Sequence, residues 1–299
     1  MNSQARTVTV TLRNITDDFN GFREILRLDA ELGASDCSLL EVDLSSVTWI
    51  AGNMCAAVGG VLEKHRARSR GIRLVGLREG MLHTTLRKSS FLSSFDPDSP
   101  RGPDAHETII EYRRFERGDT EGFRSYVARQ FAGKRMPTMT TALRYRFLLS
   151  IGELFENAAE HSRTELGIIA CGQYFPTRQH LTFAMADLGI GIRRCFLEWR
   201  QLDFTPEQAI DWAMSGNSTV RRDKPGGHGL KLIREFITMN GGRIQIASDA
   251  GYWSLHGGDV ERARLPAPFP GTVVSITINS ADEQEYRLAS EAIDPDSIL

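Results

Sequence analysis

The sequence is short of several things, and each absence excludes a class. It has four cysteines in 299 residues, Cys37, Cys55, Cys171 and Cys195, and no C-x-x-C pair. Scattered thiols exclude a disulfide framework and a zinc ribbon, and read as reduced cysteines of a cytoplasmic chain. No apolar run approaches membrane-spanning length. The opening Met1-Asn-Ser-Gln-Ala-Arg-Thr-Val8 lacks the apolar core of a signal peptide, so a cytoplasmic location and no membrane partner are expected. Neither sign of charge is in excess. A net charge of −2 gives no reason to expect direct nucleic-acid binding. No G-x-x-x-x-G-K-[ST] loop occurs, and Gly227-His-Gly-Leu-Lys-Leu232 ends on leucine where a dinucleotide fingerprint needs glycine. No internal repeat is present.

What remains is ordinary in bulk. Hydrophobic content of 41% and charge of 25% suit a soluble globular chain with one large domain or two ordinary ones. Thr7–Leu12, Leu39–Leu44 and Ile72–Leu77 read as strands. A helix capped by Asp17 or Asp18 separates the first two. A second helix runs from the turn-like Ala51-Gly-Asn53 to about Arg68, and a last one from about Glu79 towards Leu92. Strands alternating with helices argue for an α/β layer. Asp96-Pro-Asp-Ser-Pro-Arg-Gly-Pro103 is dense in turn formers and reads as a linker. The division expected is residues 1–95, a linker at 96–104, a second domain at 105–280, and a peripheral tail at 281–299.

The second domain centres on Ile151-Gly-Glu-Leu-Phe-Glu-Asn-Ala-Ala-Glu-His161. Glu153, Asn157 and His161 recur every fourth residue, which places them in one row on a helix. Leu143, Phe147, Leu148, Ile151, Leu154, Phe155 and Ala158 supply a core-facing stripe, with Pro137 suited to the first turn. Taken alone, this row is better explained as a solvated polar edge. Two later stretches change its meaning. Ala184-Met-Ala-Asp-Leu-Gly-Ile-Gly-Ile192 is an apolar strand ending on Asp187, with Gly189 and Gly191 after it. Gly226-Gly-His-Gly-Leu-Lys-Leu232 is a glycine cluster opening a helix that stops at Asn240-Gly-Gly242. Strands Leu166–Cys171, Leu181–Ala186 and Arg243–Ala247 complete a sheet, and 249–270 reads as loop.

The order and content of these stretches resemble the GHKL ATP-binding fold shared by gyrases, heat-shock chaperones, histidine kinases and mismatch-repair ATPases. Glu153-Asn157 resembles its N box, Asp187-x-Gly189-x-Gly191 its first glycine box, Gly227-x-Gly229 its second, and Gly271-Thr272 its last. The resemblance covers about residues 105–280 and implies an α+β two-layer sandwich. It implies that Asp187 accepts from the adenine amine and that Thr272 helps hold the base. Gly189 and Gly191 would let backbone pass against the base. Gly227, His228, Gly229 and Leu230 would line the phosphate side at a helix N-terminus. Asn157 would hold Mg²⁺. Glu153 would orient or deprotonate a water, or in kinase branches serve the phosphorylation site. Residues 193–225 occupy the place of the ATP lid, where Arg221, Arg222 and Lys224 either meet phosphates or form a solvated basic loop. Lys231 reads as surface. A histidine kinase would carry a phosphoacceptor on a long helix before the N box. His106 precedes a strand instead, so that assignment is rejected.

Residues 1–95 resemble a STAS domain, the fold of anti-sigma-factor antagonists, through Val42–Ile50, the helix after it, and Arg70–Leu77. That family usually has an Asp and a phosphorylatable Ser at the helix start. This chain has Ala51, Gly52 and Asn53, none with a hydroxyl, so the domain would bind or regulate without the usual phosphoswitch. Ser45, Ser46 and Thr48 precede the position. Together the resemblances imply a Mg·ATP-binding regulatory protein similar to anti-sigma-factor serine/threonine kinases, with a sigma-factor or antagonist type of partner. A GHKL ATPase clamp that homodimerises on ATP and a non-catalytic nucleotide sensor stay open beside it.

Overall fold

In the computed structural model, which describes residues 7–34, 37–68, 71–215 and 228–291, the chain opens as alternating strand and helix. β1 (Thr7–Thr11), β2 (Leu39–Asp43) and β3 (Gly71–Val75) form a parallel sheet in that order. α1 (Phe19–Gly33) and α2 (Cys55–Arg66) are the crossovers. The Asp18 carboxylate caps α1 by accepting from the Gly21 N–H at 3.0 Å. Val10, Leu40 and Val42 are buried. The opposite face carries Thr9, Glu41 and Arg73, tied by a hydrogen bond and an ion pair, so it is polar enough to stay wet.

α2 is the least ordinary helix. Ten of its twelve residues are buried, on all sides. A helix apolar all round must lie inside, and α2 lies between the parallel sheet and a second, antiparallel one. That sheet comprises β4 (Ile109–Phe115), β5 (Ile168–Phe175), β6 (His180–Asp187), β7 (Arg243–His256) and β8 (Asp259–Asn279), in the order β4-β5-β6-β8-β7. Strand alternation sorts its side chains between two cores. Leu181, Phe183, Met185, Ile276 and Ile278 face a helical layer of α5 (Thr120–Phe131), α6 (Thr141–His161) and α9 (His228–Met239). Cys171, Ala184, Ala186, Ala247 and Val273 face α1 and α2. α3 (Met81–Lys88), α4 (Phe91–Phe95), α7 (Gly191–Arg200) and α8 (Pro206–Met214) complete the helices among the described residues. The architecture is mixed α+β, as the sequence led us to expect. Among the described residues no helix is long and apolar enough to cross a membrane.

Several boundaries differ from the sequence reading. The helix expected from Glu79 to Leu92 is two, α3 and α4, broken where Ser90 turns left-handed at φ 67°. α6 starts at Thr141 under a Thr140 cap, whose hydroxyl accepts from the Leu143 N–H, so Pro137 lies ahead of its first turn. The stretch 249–270, read as loop, is a long hairpin turning at Gly257-Gly258 with both residues at positive φ. Pro266 and Pro268 fall where a register shift leaves β8 without a β7 partner, which is how a strand tolerates them. The tail after Ser280, expected to be peripheral, returns to the core. Tyr286 is buried, packs on Phe236 at 5.2 Å and pairs with Met139.

Residues on either side of 96–104 bury one core. Phe22 of α1 meets Tyr252 and Phe269, and Phe91 of α4 meets Tyr112. The Asp17 carboxylate accepts from Asn53, Gln245 and Arg243, each at 2.8 Å. This shared burial leads us to expect a single cooperative transition, with calorimetric and van't Hoff enthalpies equal and far-UV and tryptophan signals coincident. Two separated transitions would contradict it.

Candidate functional site

β6 delivers Asp187 to the end of the antiparallel sheet, beside the start of the paired region of β8 at Thr272. Asp187 is 6% exposed, and its carboxylate accepts the Gly189 N–H at 2.9 Å, with a further backbone hydrogen bond from Thr272. Burial outweighs those two donors and pushes its pKa up to about 7. A carboxylate offers about four acceptor positions, so two backbone donors leave capacity facing outwards.

The chain around Asp187 is held by close backbone approaches. A Cβ added at Gly189 would stand 1.9 Å from the Ser162 carbonyl oxygen at the end of α6. The Ile190 N–H donates to that same oxygen at 2.8 Å. A Cβ at Gly271 would stand 2.2 Å from the Asp187 carbonyl oxygen, and Gly271 has φ 120°. The closest approach that Gly189 permits is thus to α6. Ser248 ties the remaining pieces. Its buried hydroxyl accepts the Ile192 N–H at 2.9 Å and lies 3.0 Å from the Thr272 hydroxyl.

These contacts frame a cavity of about 150 Å³. Asn157, His161, Asp187, Gly191, Leu230 and Thr272 line it, with Met185, Ile192, Phe196 and Val274 as apolar walls. Residues from α6, β6, α7, α9 and β8 thereby converge on one space. Asn157 is exposed at the surface of α6, and the His161 ring lies edge-on to Trp199 at 5.5 Å. Glu153 is not among the lining residues. It faces α9, where a Cβ at Gly229 would come 2.3 Å from its Oε2. Gly189 lies behind the cavity rather than in its wall. Gly227 lies outside the described residues, as do the side chain of His228 and Arg221, Arg222 and Lys224 of the expected lid. Among the described residues no three His, Cys, Asp or Glu side chains gather as a metal site. A divalent cation here would have to combine Asn157 with oxygens of a ligand.

Sequence reasoning missed Ser248, Ser162 and Cys195, all at or behind the cavity wall. Ser248 follows the strand-like Arg243–Ala247 directly, but only pairing with Thr272 gives it a role. At the other end of the chain, Asn53 is buried, and its amide donates to Asp17 and to Ser275 at 2.8 Å each. Searches against protein-family models and against curated proteins found no match for this chain.

The Asp187 pKa has a consequence for stability. Above the ordinary carboxylate range and below about pH 7, the folded chain holds a proton that the unfolded chain has released. Its contribution to stability therefore falls as pH rises through that window, and the full cost stands above it. Asp187→Asn keeps the acceptor for Gly189 and removes the charge. We expect it to gain on the wild type by on the order of a few kcal/mol between about pH 5 and pH 8. Melting temperature against pH measures this, and a constant offset across that range would contradict a buried charge.

Proposed function

We propose that this chain binds Mg·ATP in the cavity under Asp187 and is a regulatory protein of the GHKL type, similar to anti-sigma-factor serine/threonine kinases. The observation that carries the reading is a buried carboxylate with spare acceptor capacity in a mostly apolar cavity. The adenine amine is a donor that fits it. Met185, Ile192, Phe196 and Val274 offer the flat base an apolar slot. A cavity of about 150 Å³ is smaller than the roughly 300–1,000 Å³ that encloses a whole drug-sized ligand. It suits the base alone, so ribose and phosphates extend past Leu230 and Asn157. The N-terminal end of α9 favours negative charge on that side.

Asn157 would hold Mg²⁺ through its amide oxygen, and the ion would supply charge neutralisation at the phosphates. Glu153, one turn earlier on α6, serves as the group that orients or deprotonates the attacking oxygen. That oxygen belongs to a serine of a partner protein, of sigma-factor or antagonist type, or to water in an ATPase clamp that dimerises. With neither transfer, the chain is a nucleotide sensor. Residues 1–95 act in this reading as a STAS-like interaction unit, and the location is cytoplasmic.

Two measurements test it. Calorimetric titration with ATP and Mg²⁺ should show saturable binding that Asn157→Ala weakens about tenfold or more, roughly 1.4 kcal/mol. Unchanged affinity would remove the metal assignment. With γ-labelled ATP and cell extract, label on a protein band identifies a kinase and its partner, and free phosphate identifies an ATPase. Glu153→Ala should keep binding while losing transfer by about 10²–10⁴-fold.

A further inference from the structure

Past Asp187, the chain meets α2 again through the Leu188 side chain. Gly60, in the middle of α2, lies under Leu188. A Cβ added at Gly60 would stand 3.2 Å from Leu188 Cδ2, 3.5 Å from Cγ and 3.7 Å from Cδ1. Leu188 is the residue between Asp187 and Gly189, and it packs away from the cavity that Asp187 lines.

The same three residues are clamped elsewhere by main chain. Gly189 is against the Ser162 carbonyl, and Gly271 is against the Asp187 carbonyl and Leu188 Cα. Those clamps belong to α6 and β8, which are parts of the cavity wall themselves. The Leu188 contact is different in kind. It is made by a half-buried side chain against a helix that contributes nothing else to the cavity. Neighbouring Gly59 packs more closely still on β4, where a Cβ would meet the Tyr112 hydroxyl at 2.2 Å. α2 is thus seated firmly on the sheet, and any displacement of it bears on Leu188.

We propose that Leu188 and Gly60 are positioning residues for Asp187, setting how the strand end presents its carboxylate to the cavity and so linking residues 1–95 to the ligand held there. The identity of that ligand rests on the nucleotide reading above; the mechanical link does not. Linkage is reciprocal. A partner that shifts α2 changes affinity in the cavity, and a ligand in the cavity changes how α2 sits. Packed interiors transmit sub-ångström shifts because they have no slack to absorb them.

A double-mutant cycle on the full chain tests this. Gly60→Ala pushes Leu188 by a few tenths of an ångström, and Leu188→Ala removes the atoms it would push. In ligand-free protein, the readouts are hydrogen exchange at the Gly189 amide and the titration of the Asp187 carboxyl by NMR. His161 and Cys195, which line the same cavity, serve as its ionisable neighbours in the fit. The third readout is the Kd for Mg·ATP. We expect Gly60→Ala to speed Gly189 exchange, move the Asp187 midpoint and weaken Mg·ATP at least threefold. In the Leu188→Ala background the same substitution should change none of them. No change from Gly60→Ala, or the same change in both backgrounds, overturns the proposal. Should the wild type fail to bind Mg·ATP, the nucleotide reading falls, and exchange and titration still decide the link. Leu188→Val, which opens space instead of filling it, replaces Gly60→Ala if that variant does not fold. Unmoved exchange and titration in it would equally overturn the link.

Discussion

Every layer of this molecule depends on the two-residue alternation of its antiparallel sheet. One face carries Leu181, Phe183, Met185, Ile276 and Ile278, large enough to fill the space beneath α5, α6 and α9. The other carries Cys171, Ala184, Ala186 and Ala247, small enough for α2 to lie close. A slip of one residue would exchange the two faces and leave neither layer able to pack. The same alternation fixes the site. It turns Met185 and Asp187 of β6 towards the cavity, and Ala184 and Ala186 towards α2.

Asp187 is where that rigid frame is set against electrostatics. A carboxylate taken out of water costs free energy unless its acceptor positions are filled. Two backbone donors leave its pKa near 7 instead of lowering it. A structural ion pair would be expected to do the reverse, and Asp29 is the internal comparison. Its hydrogen bonds to His65 and Lys64 outweigh burial and hold its pKa below the usual value. The contrast marks Asp187 as a group kept short of partners by a fold that has donors to give elsewhere.

What the sequence made legible were the features carried by local spacing. Glu153, Asn157 and His161 fall on one helix face because the period of α6 is fixed, and Asp187, Gly189 and Gly191 fall at a strand end because apolar alternation stops there. The mixed α+β architecture follows from the same periodicities. What was not legible depends on long-range pairing. The hairpin of β7 and β8 hides behind its prolines until the register shift gives them a place. Ser248 acquires meaning only opposite Thr272, and Gly229 only opposite Glu153. The approach of Gly189 to the Ser162 carbonyl at the end of α6 is likewise invisible to local spacing.

Asn53 ties the start of α2 to the antiparallel sheet. It stands just ahead of α2 and carries an amide where a phosphoryl acceptor would need a hydroxyl. Its amide instead joins Asp17 and Ser275 inside the seam between α1, α2 and the sheet. A phosphoryl group there would stand against the half-buried Asp17 carboxylate held by Arg243, Gln245 and Asn53, placing like charges together. Phosphorylation at that point is therefore a poor way to control this chain. Displacement of α2 as a body is a better one, because the helix is seated on β4 through Gly59 and on the Asp187 strand end through Gly60. A partner gripping the exposed parts of residues 1–95 would act on the cavity through packing, with no charge introduced into the seam.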